Sequence, residues 1–150
     1  MTRKVNILAV GVAVLTGAAG CGKAPPPPIV EAEGIVLLDG KPLKKVAVRF
    51  VPNDALGPQY VAVGVTDEAG RFKLTCNGQS GACACENHVL VMEAEFPAHL
   101  KGENAQVQLD QYLRALGGRP LPLRYANLVD SPLTVNVQAD QKEYRIELTR

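Results

Sequence analysis

Three cysteines and a histidine stand close together in the second half of the chain: Cys76, Cys83, Cys85 and His88. Thiols and an imidazole support two chemistries. Two thiols can be oxidised to a disulfide, or thiolates and imidazole can hold a soft metal such as zinc. The spacing C-x6-C-x-C-x2-H matches no standard zinc pattern, and an exposed redox thiol is a further alternative. Among the possible bridges, Cys83–Cys85 is the strained one, because a single residue separates the two sulfurs. Other catalytic arrangements are missing. His88 and His99 have no HExxH or HxH context, and there is no Gly-x-Ser-x-Gly elbow or glycine-rich phosphate loop. Glu93 and Glu95 share a strand face that could pair carboxylates or take a cation, and a solvated outward face explains them as well. Asp67-Glu68-Ala69-Gly70 lacks the later bidentate Glu of a calcium loop and fits a hairpin turn. No cofactor is expected.

Which thiol chemistry applies depends on the compartment, and the N-terminus speaks to that. Arg3 and Lys4 precede an apolar stretch from Val5 to Leu15, followed by the small residues Thr16 to Gly20. This is the anatomy of a secretory signal peptide over residues 1–20. The segment is too short to span a bilayer comfortably, and no other span is long enough. Ala18-Ala19-Gly20-Cys21 resembles the bacterial lipobox, with Ala18 where Leu is usual. The resemblance implies that Cys21 carries lipid on sulfur and becomes the first mature residue. Export to an oxidising compartment makes a disulfide the default fate of Cys76, Cys83 and Cys85. Gly22, rather than Asp, follows Cys21, which under the usual bacterial sorting rule suggests the outer membrane, on its periplasmic or surface face. Cleavage takes Arg3 and Lys4 from 16 basic side chains set against 15 acidic ones. A near-neutral mature chain has no electrostatic footprint for nucleic acid.

The elements that must position these side chains follow. Residues 21–30 hold the Cys and a tether, in which Pro25 to Pro28 favour extended polyproline II. From Glu31 to Arg150 the pattern has period two. Glu31 to Leu38 leads into Asp39-Gly40, a hairpin signal. Lys44 to Val51 sets Val46, Val48 and Phe50 on one face. Tyr60 to Thr66 alternates Val61, Val63 and Val65 with Ala62 and Gly64. Gly70 to Cys76 aligns Phe72 and Leu74. His88 to Glu95 is apolar on both faces. Leu133, Val135 and Val137 alternate, as do Tyr144, Ile146 and Leu148. About seven short strands separated by turns predict an all-β sandwich. Leu109, Tyr112, Leu113 and Leu116 recur at helical spacing before Gly117-Gly118. They predict a short helix over 105–116 in a late connection, its stripe capping an edge or end of the sandwich.

Five stretches carry a family resemblance. Gly34 to Leu43, Val46 to Pro52 and the T-D-x-x-G-x-F run Thr66 to Phe72 resemble carboxypeptidase regulatory-like domains of the transthyretin-like group. Leu121 to Tyr125 and Ser131 to Val135 are similar to the closing pattern of small bacterial lipoproteins of this type. The resemblance spans about 29–149. It implies a prealbumin-like seven-stranded sandwich serving as a non-catalytic structural or binding module, and its motifs report fold better than function. The partners expected are the membrane, through the lipid, and an envelope protein or polysaccharide. Hydroxyisourate hydrolases of the group need a C-terminal Tyr-Arg-Gly-Ser, whereas this chain has Glu147-Leu148-Thr149-Arg150, so that activity is not expected. Gly81-Ala82-Cys83-Ala84-Cys85 replaces the usual turn before the fifth strand. On the family's strand phases Cys85 points inward beside Asn87, Val89 and Val91. Cys76 shares the phase of Phe72 and Leu74. Those phases imply a Cys76–Cys85 bridge, with Cys76–Cys83 close behind it. The competing function class is a metal or thiol-redox module built on Cys76, Cys83, Cys85 and His88.

Overall fold

The alternation written into each strand is the pattern that the fold buries. In a computed structural model, residues 25–53, 56–100, 102 and 104–150 are described. The expected signal segment 1–20 and the lipidation candidate Cys21 lie outside these residues. Along Val46–Pro52 every second side chain is buried, and along Glu143–Leu148 burial alternates without a break. Such strands have one apolar face each and must pack in two layers.

In chain order the strands are β1 (Ile29–Val30), β2 (Glu33–Leu38), β3 (Lys41–Pro42), β4 (Val46–Pro52), β5 (Ala62–Val65) and β6 (Arg71–Lys73). They continue as β7 (Thr75–Cys76), β8 (Gln79–Ser80), β9 (Ala82–Cys83), β10 (Glu86–Glu93), β11 (Thr134–Asn136) and β12 (Glu143–Leu148). One sheet has six strands in the order β11-β10-β4-β5-β7-β8. The other runs β12-β2-β3, with β6 also paired to β2. A separate ribbon joins β1 to β9. The β12–β2 pair is parallel, and the other pairs are antiparallel. The architecture is an all-β sandwich, and the strand count exceeds seven because the Gly70 to Cys76 run splits into β6 and β7 and the two-residue strands β1, β3, β8 and β9 lie outside the expected runs.

The two layers meet at three rings. Phe50 of the six-stranded sheet sits edge-on to Phe72 and Tyr144 of the other, with centroids 6.2 and 6.1 Å apart. Val48, Val89, Val91, Val36, Ile146 and Leu148 fill the space around them. Burying each large apolar side chain contributes about 1.5–3 kcal/mol. The predicted hairpin at Asp39-Gly40 forms: both residues have positive φ, 49° and 78°. That is the mirror-image turn whose twist matches two antiparallel strands, and it suits Asp-Gly.

Two elements take a placement that their alternation leaves open. In β5 it is Ala62 and Gly64 that face inward, while Val63 and Val65 are 40% and 52% exposed. The phase is set by Thr66, which continues the inward face. Its buried hydroxyl donates to Leu43 O at 2.8 Å and accepts from Val46 N–H at 3.0 Å. A buried hydroxyl with both partners outweighs two exposed valines. The helix α1 (Ala105–Leu116) forms on its predicted bounds, yet it buries no residue completely. Its stripe is half-covered beside the outer face of the six-stranded sheet, where Tyr112 meets Phe96 edge-on, rather than closing an end of the sandwich.

Candidate functional site

The cysteines lie where β7, β9 and the start of β10 converge. Strand β7 continues the inward phase of Leu74, which puts Cys76 in the core with no exposed surface. A tight turn follows, and Cys76 pairs with Gln79 across the β7–β8 hairpin. Gly81 then swings the chain away from that hairpin. Its φ is +125°, and a Cβ there would sit 1.9 Å from Val30 O. Only a glycine allows this approach. The swing brings Ala82 and Cys83 alongside Val30 and Ile29. Cys83 thereby also becomes fully buried.

The two buried thiols reach neighbouring carbonyls. Cys76 Sγ donates to Gln59 O at 3.7 Å and Cys83 Sγ to Tyr60 O at 3.8 Å, two consecutive carbonyls of one backbone turn. No disulfide joins Cys76 and Cys83. Burial pushes the Cys76 thiol up. Burial, helped by the neighbouring Cys76 and Cys85, pushes that of Cys83 up to about 12. Both are therefore protonated at neutral pH, and a protonated thiol is a poor nucleophile and a poor metal ligand.

Cys85 is half-buried at the mouth of this cluster. The phases implied by the resemblance point Asn87, Val89 and Val91 inward, and all three are fully buried. Asn87 Nδ2 donates to Cys83 O at 3.1 Å and to Cys85 O at 2.8 Å. The buried amide thus fixes the backbone between the two cysteines. Neither the Cys76–Cys85 nor the Cys76–Cys83 bridge is formed.

The four-ligand metal arrangement does not assemble. His88 alternates with Asn87 and Val89 along β10, so it projects from the opposite face to the buried thiols. Among the described residues no three of His, Cys, Asp and Glu form a group that could hold a metal ion. The other acidic candidates also resolve into structure. Asp67 Oδ1 accepts the amides of Ala69 and Arg71, each at 2.9 Å, and shapes the β5–β6 turn. Glu93 takes the guanidinium of Arg119, with Nε 2.8 and 3.0 Å from its two oxygens. The Arg119 side chain is 5% exposed and also donates to the carbonyls of Lys44, Lys45 and Gly117. No spacing in the sequence announces this clamp, whose partners are far apart along the chain.

Two open concavities mark the surface. A cleft of about 740 Å³ lies over Glu33, Ile35, Arg71, Lys73 and Arg145, and its charges partly pair, with Lys73 Nζ 3.4 Å from Glu33. A groove of about 520 Å³ follows the outer face of the six-stranded sheet past Arg49, Val63, Val65, Phe96 and Tyr112. No helix among the described residues is long and apolar enough to cross a membrane.

No known family, curated protein or solved structure matches this chain. The regulatory-like resemblance therefore stands on the quoted motifs alone.

Proposed function

We propose that this chain is a non-catalytic cell-envelope lipoprotein, a transthyretin-like sandwich presented on a lipid anchor as a structural or binding module. The observation that carries it is the run Ala18-Ala19-Gly20-Cys21 at the end of an apolar export segment. Its surroundings agree. Pro25 to Pro28 are followed at once by β1, so an anchor at Cys21 leads through a stiff spacer of about 3.1 Å per residue into the fold. Several acyl chains on one cysteine give stable membrane residence, each buried methylene contributing about 0.8 kcal/mol.

The non-catalytic part rests on side-chain chemistry. The buried thiols are held protonated, the carboxylates of Asp67 and Glu93 serve a turn and an ion pair, and His88 projects from the opposite strand face to Asn87 and Val89. Recognition of an envelope protein or polysaccharide would then use loops and outer faces. The assignment to the transthyretin-like group is supported by the motifs at Gly34 to Leu43 and Thr66 to Phe72, which here form a strand–hairpin pair and a strand-to-strand turn. Membrane fractionation tests the anchor: the native chain sediments with membranes, and Cys21→Ser moves it to the soluble fraction. Membrane residence unchanged by that substitution would overturn the lipoprotein assignment.

A further inference from the structure

We propose that strand β12 is a self-association edge, along which two copies of this chain pair antiparallel about a two-fold axis at Ile146. The inference rests on the sheet order and stands whether or not the chain is anchored at Cys21.

Strand β12 ends its sheet, so its ladder with β2 leaves one side unpaired. The strands at the other sheet ends, β3, β8 and β11, have two or three residues, whereas β12 has six. Edge strands are usually blunted by shortness, proline or a bulge. Strand β12 has no proline and keeps unbroken register with β2 from Glu143 to Leu148.

Two bonds flanking the ladder fix which backbone groups face the open side. Glu33 N–H donates to Lys142 O and Asp39 N–H to Leu148 O, each at 2.9 Å. The even-numbered residues of β12 therefore address β2, and the N–H and C=O of Glu143, Arg145 and Glu147 point away from it. Both ends of this row are engaged. Gln141 Nε2 donates to Glu143 O at 3.1 Å. Beyond Glu147, Thr149 N–H donates to Tyr125 Oη at 3.0 Å, and Thr149 O accepts from Arg124. Between them the backbones of Arg145 and Glu147 have no partner on the open side among the described residues.

The side chains select the occupant and the register. Glu143, Arg145 and Glu147 are exposed along β12, while Tyr144, Ile146 and Leu148 are buried. Arg145 and Glu147 form an ion pair within the strand, and both side chains are well exposed. In an antiparallel pair centred on Ile146, Arg145 lies opposite Glu147 of the second copy, and Glu147 opposite Arg145 of the second copy. Both cross-strand charge pairs are favourable, and each pair exchanges both of its backbone hydrogen bonds. A pair centred on Arg145 would set like charges opposite one another. A pair centred on Tyr144 would need Glu143 O, which Gln141 already holds. The two-fold arrangement is closed and stops at two copies. A contact made by one strand is small, which places the pair among weak associations.

The test follows the full chain by sedimentation from micromolar to millimolar concentration, with detergent micelles in excess over protein, and records amide exchange at both extremes. The expected result is a reversible monomer–dimer equilibrium in which the Arg145 and Glu147 amides exchange more slowly at high concentration. Arg145→Glu and Glu147→Arg each set like charges opposite one another and should weaken the dimer about tenfold. The double variant should restore it. So should an equimolar mixture of the two single variants, in which one copy is acidic at both positions and the other basic. Thermal unfolding of the variants at low concentration checks that the fold survives; if a variant does not fold, amide exchange of the native chain still decides. A chain that stays monomeric to millimolar concentration, Arg145 and Glu147 amides indifferent to concentration, or a dimer that neither folded single variant weakens overturns the proposal.

Discussion

Cys83 is a fully buried thiol. Its thiol titrates near 12 because burial penalises the thiolate, with Cys76 and Cys85 adding to the penalty. The sign of the consequence is fixed. The folded thiol has a raised pKa, so the reduced protein keeps its full stability below the unfolded value and loses it as pH rises towards the folded one. Reduced protein should therefore weaken progressively above about pH 8.5, and Cys83→Ala should flatten that alkaline limb. A denaturant midpoint that is level from pH 8 to 11 in the reduced native chain would contradict the burial described. Arg119 makes a second residue-scale case. Its guanidinium has five donors and here meets one carboxylate and three carbonyls. Arg119→Ala strands the partly buried Glu93 carboxylate and should cost about 2–3 kcal/mol. Glu93→Gln keeps a hydrogen-bond acceptor and should cost less, as urea unfolding of the two variants would show.

At the scale of elements, short strands succeed here because side chains and glycines hold their ends. Strand β9 has two residues, and Gly81 is the hinge that makes it possible. Gly81→Ala places a methyl into Val30 O at a φ that alanine resists. The expected loss is about 2–4 kcal/mol. Amide exchange should speed up at Cys83 and Ala84 while β4 and β10 remain protected. Uniform loss of protection would mean that the ribbon is not a separate unit. The turn at Asp39-Gly40 and the helix over 105–116 were legible because their signals are local: an Asp-Gly pair and a 3.6-residue stripe ended by glycine. The phase of β5 was not legible. Val63 and Val65 would be the inward choice on hydrophobicity, and the decision lies with Thr66, whose partners Leu43 and Val46 are more than a turn away.

The whole molecule is held by contacts between the layers. Phe50, Phe72 and Tyr144 come from three strands in two sheets, and their edge-on packing joins the layers at the centre. Phe72→Ala should destabilise by about 3–5 kcal/mol, through lost transfer energy and the cavity left behind. That is a large fraction of the 5–15 kcal/mol typical of a domain. A melting temperature within a degree of the native value would refute the packing. Helix α1 buries no side chain completely and adds little to this core, so truncating Leu113 to Ala should cost less than about 1.5 kcal/mol in the same measurement.

What the sequence determined by itself was whatever repeats locally along the chain. Alternation at Val46 to Phe50 and Tyr144 to Leu148 requires half-buried strands, and several such strands require two layers. The proposed export segment and anchor at Cys21 likewise rest on composition and order along the chain. Pairing across the chain obeys no such period. That Cys83 pairs with Ile29 depends on a swing at Gly81, which alone allows the close approach of Val30. That β12 lies parallel to β2, and that Arg119 reaches Glu93, depends on how the layers stack. These contacts join residues far apart in sequence, whose favourable free energy appears only once the intervening chain has been ordered. Tertiary structure alone decides them, because a strand's own residues fix its two faces and not its neighbours.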